Sequence, residues 1–146
     1  VEDCRIESGT TIWHFANLYG CEVGRDCNIG SYVEIQSGAK IGDRVVVSSH
    51  TFICSLVTVE SDVFIGHGVM TINDIHPPSY RRTGDRSDWK STIIKAGAVI
   101  GSNATIFPVV IGRNAVVGAG SVVREDVPDN SVVVGNPAKL LYELKK

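Results

Sequence analysis

No apolar run in this 146-residue chain approaches the roughly 18 residues that a membrane-crossing helix needs. The first residues also lack the basic-then-apolar layout of a secretion signal. The expectation is a cytoplasmic protein with no membrane partner. An excess of one charge is missing as well: 14 Lys and Arg stand against 16 Asp and Glu, with a pI near 6.1. Such a balance offers no general field for nucleic acid or an anionic membrane, so any phosphate site must be a local cluster of cations. Cysteine is sparse, and Cys4, Cys21, Cys27 and Cys54 contain no C-x-x-C pair. That spacing argues against a zinc site or a disulfide framework, and no metal is expected.

What the chain does have is a period of six. Val23, Ile29, Ile35, Ile41, Val47, Ile53, Val59 and Ile65 follow one another at that unbroken step. At 43% apolar residues, eight such hits in a row arise by chance at a given start roughly one time in a thousand. Four residues after each comes a small or β-branched side chain: Cys27, Val33, Ala39, Val45, Thr51, Val57, Val63 and Val69. Gly24, Gly30, Gly42 and Gly66 directly follow an aliphatic residue, the pattern of glycine at a corner. The step begins at Ile6, Ile12 and Leu18, with one five-residue step to Val23, and resumes at Ile94, Ile100 and Ile106 and, after another five-residue step, at Ile111, Val117 and Val123. A helix cannot keep a period of six on one face, whereas short strands joined by tight turns can. The chain therefore reads as an all-β solenoid.

Two segments break the pattern. Asn73 to Ser91 is polar and carries two prolines, and a structureless stretch of that length inside a repeat array is usually functional. After Pro128 comes VVVGNPAKLLYELKK. Gly135, Asn136 and Pro137 read as a turn, and Ala138 to Lys146 as a short amphipathic capping helix with Leu140, Leu141 and Leu144 on one side. The expected organisation is a β-helix domain over 1–134, interrupted by a loop at 73–91, with a C-terminal turn and helix at 135–146.

The V/I-G-x-x-x-x repeats resemble those of left-handed parallel β-helix acyltransferases, in which three hexads make one triangular coil. The resemblance implies that residues eighteen apart stack on neighbouring coils, with Val23, Ile41 and Val59 in one interior ladder. About four coils would precede the interruption and a little over two would follow it, in a prism about 29 Å tall. Left-handedness comes from the resemblance alone, since the general rule for parallel crossovers favours the right-handed form. The segment GTTIWHF, Gly9 to Phe15, is similar to G-T-x-I-W-x-F of bacterial N-acetyltransferases acting on nucleotide-linked amino sugars for surface polysaccharides. NDIHPPS, Asn73 to Ser79, is similar to the N-D-x-x-P-R-S segment that opens their loop, with Pro78 in place of Arg. The stretch from Ile100 to Lys139 follows the carboxy-terminal pattern of CoA-dependent hexapeptide enzymes.

That resemblance implies transfer of an acetyl group from acetyl-CoA, and a homotrimer with the donor in grooves between subunits. It makes Asn73 and Asp74 the residues that orient the sugar amine. Their neighbour His76 is a candidate base on its own chemistry, since an imidazole beside a carboxylate titrates near neutrality. The ladder Ser37, Ser55, Asn73 leads up to the loop and contributes acceptor contacts; the relatives often carry an acidic residue at the Ser55 position. Arg81, Arg82 and Arg86 could hold a diphosphate, with Tyr80 or Trp89 as a stacking surface. Small residues Gly101, Ser102, Ala119 and Gly120 would let pantetheine lie along the backbone, and Arg124 and Lys139 would take the donor's phosphates. Among the other histidines, His14, Ser31, Ser49 and His67 stack on one outward ladder with His50 beside it. Three zinc-binding histidines, two of them five apart, would mark a carbonic anhydrase on the same coil, and no such pair exists. The competing readings are acetylation of a sugar hydroxyl, with His76 or a neighbouring subunit's His50 as base, and a non-catalytic β-helix scaffold.

Overall fold

The computed structural model describes residues 1–79 and 85–145, and among these described residues it holds twenty short strands and no helix. Each hexad yields one strand of two or three residues, because its aliphatic side chain points inward and the next residues turn the corner. The strands fall into three faces, parallel throughout except for the last strand. Face 1 contains β1 (Arg5–Ile6), β4 (Glu22–Val23), β7 (Lys40–Ile41), β10 (Val57–Val59), β13 (Thr92–Ile94) and β16 (Val110–Ile111). Face 2 contains β2 (Thr11–Ile12), β5 (Asn28–Ile29), β8 (Val46–Val47), β11 (Phe64–Ile65), β14 (Val99–Ile100), β17 (Val116–Val117), β19 (Ser131–Gly135) and β20 (Ala138–Glu143). Face 3 contains β3 (Asn17–Leu18), β6 (Glu34–Ile35), β9 (Phe52–Ile53), β12 (Met70–Thr71), β15 (Thr105–Ile106) and β18 (Val122–Val123). The result is a left-handed parallel β-helix of about 7 turns.

The interior is a set of ladders. Val23 pairs with Ile41, Ile41 with Val59, Val59 with Ile94 and Ile94 with Ile111, as the eighteen-residue stacking predicts. These side chains are almost wholly excluded from water, and strand N–H groups find carbonyls one coil away, as from Val46 to Val63 at 3.0 Å. Ile65 is fully buried in the middle of the stack, so Ile65→Ala is a cavity-forming change of about 2–5 kcal/mol.

Glycine does not serve the corners in the way the repeat suggests. Gly24, Gly30, Gly42 and Gly66 have ordinary φ, and what demands glycine there is closeness: a Cβ on Gly30 or Gly42 would lie 2.6 Å from the backbone nitrogen of Ser49 or Ser61. The left-handed corner residues come two positions later: Asp26, Tyr32, Gly38, Arg44, His50, Leu56, Asp62 and Gly68, all with φ between 54° and 83°. The inward small residue follows immediately after each.

The three edges of the prism differ in chemistry. Between faces 1 and 2 the edge is charged, and Arg44 Nε lies 2.7 Å from Asp62 Oδ1 on the next coil. Between faces 2 and 3 it is aromatic: Phe15 stacks on Tyr32 at 5.1 Å and Tyr32 on His50 at 5.0 Å. Between faces 3 and 1 the chain leaves the array into the loop.

The predicted C-terminal helix is a strand. β19 adds to β17 in parallel, and after the turn at Asn136 and Pro137 β20 runs back antiparallel along it, with Val134 opposite Lys139. A helix here would have left the outer edge of β19 without backbone partners, and the hairpin supplies them. Of the apolar stripe that suggested a helix, Leu140 and Leu141 are 57% and 58% exposed and Leu144 is only partly buried.

Candidate active site

The loop is tied at its base and leans over face 3. Lys90 donates its N–H to the Asn73 carbonyl at 2.8 Å, so the two ends of the insertion meet. Asn73 donates through Nδ2 to the Ser55 carbonyl at 3.1 Å, which fixes its amide against the coil below. Asp74 turns the chain onward by accepting the N–H of His76 at 3.2 Å on Oδ1. The sequence places Asn, Asp and His here because short polar side chains can replace the backbone partners lost where the ladder ends.

Beneath this base lies a recess of about 430 Å³ lined by Gln36, Phe52, Cys54, Thr71, Asn73, Asp74, Pro77, Asp85 and Trp89, among others. A second recess of about 410 Å³ shares Asp74 and Trp89 and adds His76, Asp88 and Lys90. Arg86 sits over the Trp89 ring, 5.0 Å from its centroid. Below the recess a polar line crosses the coils. Tyr19 donates to Glu34 Oε1 at 3.1 Å, Gln36 donates to the same oxygen at 3.3 Å, and Gln36 Oε1 accepts the Ser55 N–H at 3.3 Å. Desolvation and the Glu34 carboxylate push the Tyr19 hydroxyl above its usual range, while Arg86 opposes the shift. Burial raises the Cys54 thiol, and a hydrogen bond from the Thr71 hydroxyl at 3.2 Å partly offsets that effect.

The structure thus brings Asn73, Asp74 and His76 together. Ser55 is buried with its carbonyl on Asn73. Ser37 packs at the Gly20 corner and is not itself among the residues that line the recess. Arg81, Arg82 and Tyr80 lie outside the described residues. Gln36, Phe52 and Cys54 were missed from the sequence. The eighteen-residue step that stacks Ser37 and Ser55 under Asn73 also stacks Gln36 and Cys54 under Ile72, one residue earlier.

The same column continues upward. Met70 and Thr71 pair with Thr105 and Ile106, which pair with Val122 and Val123. Phe107 and Arg124 therefore follow Ile72 on successive coils, and the Arg124 guanidinium lies 5.0 Å over the Phe107 ring. Arg124 also borders a recess of about 350 Å³ with Glu125, Pro137, Ala138 and Lys139. The cation pair proposed for phosphates is a real pair in space, two coils or about 10 Å above the loop-base recess.

Gly101, Ser102, Ala119 and Gly120 stand elsewhere, at the aromatic edge between faces 2 and 3. Ser102 Oγ accepts the His67 N–H at 3.1 Å. A Cβ on Gly101 would strike the Ala119 nitrogen, whereas Gly120, with φ +70°, has open space around it. On face 2 a groove of about 380 Å³ is lined by Trp13, Asn28, Ser31, Ser49 and His67, among others. The outward ladder is therefore three-quarters present in one groove, with His14 turned toward Phe15 at 6.2 Å.

Residues 20–55 match the bacterial transferase hexapeptide family of six repeats, and residues 91–125 match the hexapeptide repeat of succinyl-transferase. The chain is 34% identical over 134 residues to the bifunctional protein GlmU of Brevibacillus brevis, covering 90% of this chain and 26% of that protein. Against GlmU of Streptococcus pyogenes it is 32% identical over 145 residues, 98% of this chain and 29% of that protein. The chain thus spans less than a third of these curated relatives. A hexapeptide-repeat acetyltransferase from Vibrio cholerae, solved with acetyl coenzyme A, has a TM-score of 0.74 at 29% identity, covering 87% of this chain and 72% of that one. AntD, an N-acyltransferase from Bacillus cereus solved with dTDP and coenzyme A, gives 0.85 at 22% identity, with 97% and 84% covered, and speaks for the fold.

Proposed function

From a hexapeptide-repeat chain of the acyltransferase type, we propose that this protein moves an acetyl group from acetyl-CoA to the amine of a nucleotide-linked amino sugar. The observation that carries the reading is the face 3 column. An acceptor recess at Asn73 and Asp74 lies on that column, and about two coils above it on the same column stands Arg124, which borders a second recess together with Lys139 of β20. A thioester reaching down from the upper recess would meet a nucleophile held in the lower one.

In the transfer the amine nitrogen bonds to the acetyl carbon, the carbon–sulfur bond breaks, and the departing thiolate takes the amine's proton. An amine bound unprotonated needs positioning more than a base. Asp74 suits that task by accepting a hydrogen bond from the amine, and Asn73 by a fixed amide. The reading includes a homotrimer in a cytoplasmic surface-polysaccharide pathway. Two observations support assembly: the exposed aromatic edge, and the separation of Gly120 from Arg124, which suits a donor shared between one copy's edge and another copy's face. A monomer by sedimentation with CoA present would remove that part of the reading.

The test is CoA release against sugar nucleotides with and without a free amine. Turnover only with the amino sugars is expected, and turnover with none of them would overturn the proposal. In the same assay, replacing Arg124 and Lys139 together by Ala should raise the apparent KM for acetyl-CoA about tenfold or more and leave that for the sugar nearly unchanged. A selective loss of sugar affinity would assign the pair to the acceptor.

A further inference from the structure

Far from the loop, in the first two coils, two thiols face each other. Cys4 and Cys21 immediately precede the paired residues Arg5 and Glu22, so they occupy matching positions on neighbouring coils. Their sulfurs are 3.4 Å apart. Adjacent strands bring Cα atoms to about 4.8 Å, inside the window of about 4.4–6.8 Å that a disulfide bridges. The other two thiols have different neighbours: Cys27 Sγ donates to the Gly42 carbonyl at 3.0 Å, and Cys54 takes a hydrogen bond from Thr71. Ala39 and Val57 fill the same inward column higher up, so the fold does not require a thiol there.

We propose that Cys4 and Cys21 form a redox couple, which a small-molecule disulfide such as oxidised glutathione converts to a cross-link between the first two coils. Cys4 is the entry point, because it keeps part of its surface exposed whereas Cys21 is 2% exposed. Burial, reinforced by the hydrogen bond with Cys4, pushes the Cys21 thiol up to about 12, so it does not react first. The Cys4 thiolate attacks one sulfur of the small disulfide, releasing one small thiol and leaving a mixed disulfide on Cys4. Cys21 then gives up its proton and attacks the Cys4 sulfur, releasing the second small thiol. Two electrons pass from the protein sulfurs to the small disulfide, which leaves as two thiols carrying the two protons.

The experiment is oxidation of the whole chain with oxidised glutathione, alkylation under denaturing conditions, tryptic digestion and mass mapping. The expected product joins the peptide ending at Arg5 to the peptide Ile6 to Arg25, with Cys27 and Cys54 alkylated and the melting temperature raised. Cys21→Ser should stop at a glutathione adduct on Cys4, and Cys4→Ser should leave Cys21 unmodified. A wild-type product with glutathione on Cys4 and alkylated Cys21 would overturn the proposal. So would cross-links between copies, or a Cys4→Ser protein that reacts at Cys21 as readily as wild type.

Discussion

Asp74→Asn will lower kcat on an amino-sugar acceptor by about 10²-fold, while His76→Ala will leave it within about threefold. The asparagine is an informative choice because Asp74 has two tasks. Its Oδ1 accepts the His76 N–H and shapes the start of the loop, and an asparagine carbonyl can keep that bond. What asparagine cannot keep is the second acceptor oxygen, which its NH2 replaces with a donor and which would take the hydrogen bond from the amine in the recess that Asp74 lines. A large fall with an unchanged melting temperature therefore reads that acceptor. Asn73→Ala should also cost activity, but it removes the tie to the Ser55 carbonyl as well, so a change in stability is expected alongside. The contrast with His76 decides the chemistry. A sugar hydroxyl needs a positioned base, and losing a true base costs about 10²- to 10⁴-fold. If His76→Ala falls in that range and the wild-type product carries its acetyl on sugar oxygen, the acceptor is a hydroxyl.

The fold was readable because one aliphatic residue every six positions suits short strands joined by tight turns and no helix, and the interior ladder from Val23 to Val59, which the resemblance implied, appears in the structure in the predicted register. The site was readable only in part. Asn73, Asp74 and His76 stand where the period fails, and a failed period is itself a signal. Gln36, Phe52 and Cys54 line the recess only because the loop leans back over face 3, a direction that no local pattern in those three residues encodes. The C-terminal strand was misread for a related reason. A short apolar run such as Leu140, Leu141 and Leu144 fits a helix or a strand equally well, and the deciding fact is tertiary: β19 presents an edge in need of pairing.

Glycine at the donor end gives the second large effect, and it separates a fold role from a ligand role. Gly101→Ala is expected to lower stability by about 3 kcal/mol or more, because the new methyl meets main chain that has no way to give. Its Cβ would lie against the Ala119 nitrogen and 2.8 Å from the Gly118 carbonyl carbon, and both atoms belong to a coil held by its own ladder. Gly120 is the opposite case. Its φ of +70° strains any other residue by about 1–2 kcal/mol, but nothing lies within 4 Å of a Cβ there. Gly120→Ala should therefore fold and show its main effect as a several-fold higher apparent KM for acetyl-CoA, as expected if pantetheine runs along that backbone. Denaturant midpoints and steady-state kinetics on the two variants read both effects. If Gly101→Ala keeps the wild-type midpoint and only the KM rises, the glycine serves the donor and the close approach of the coils does not govern that position.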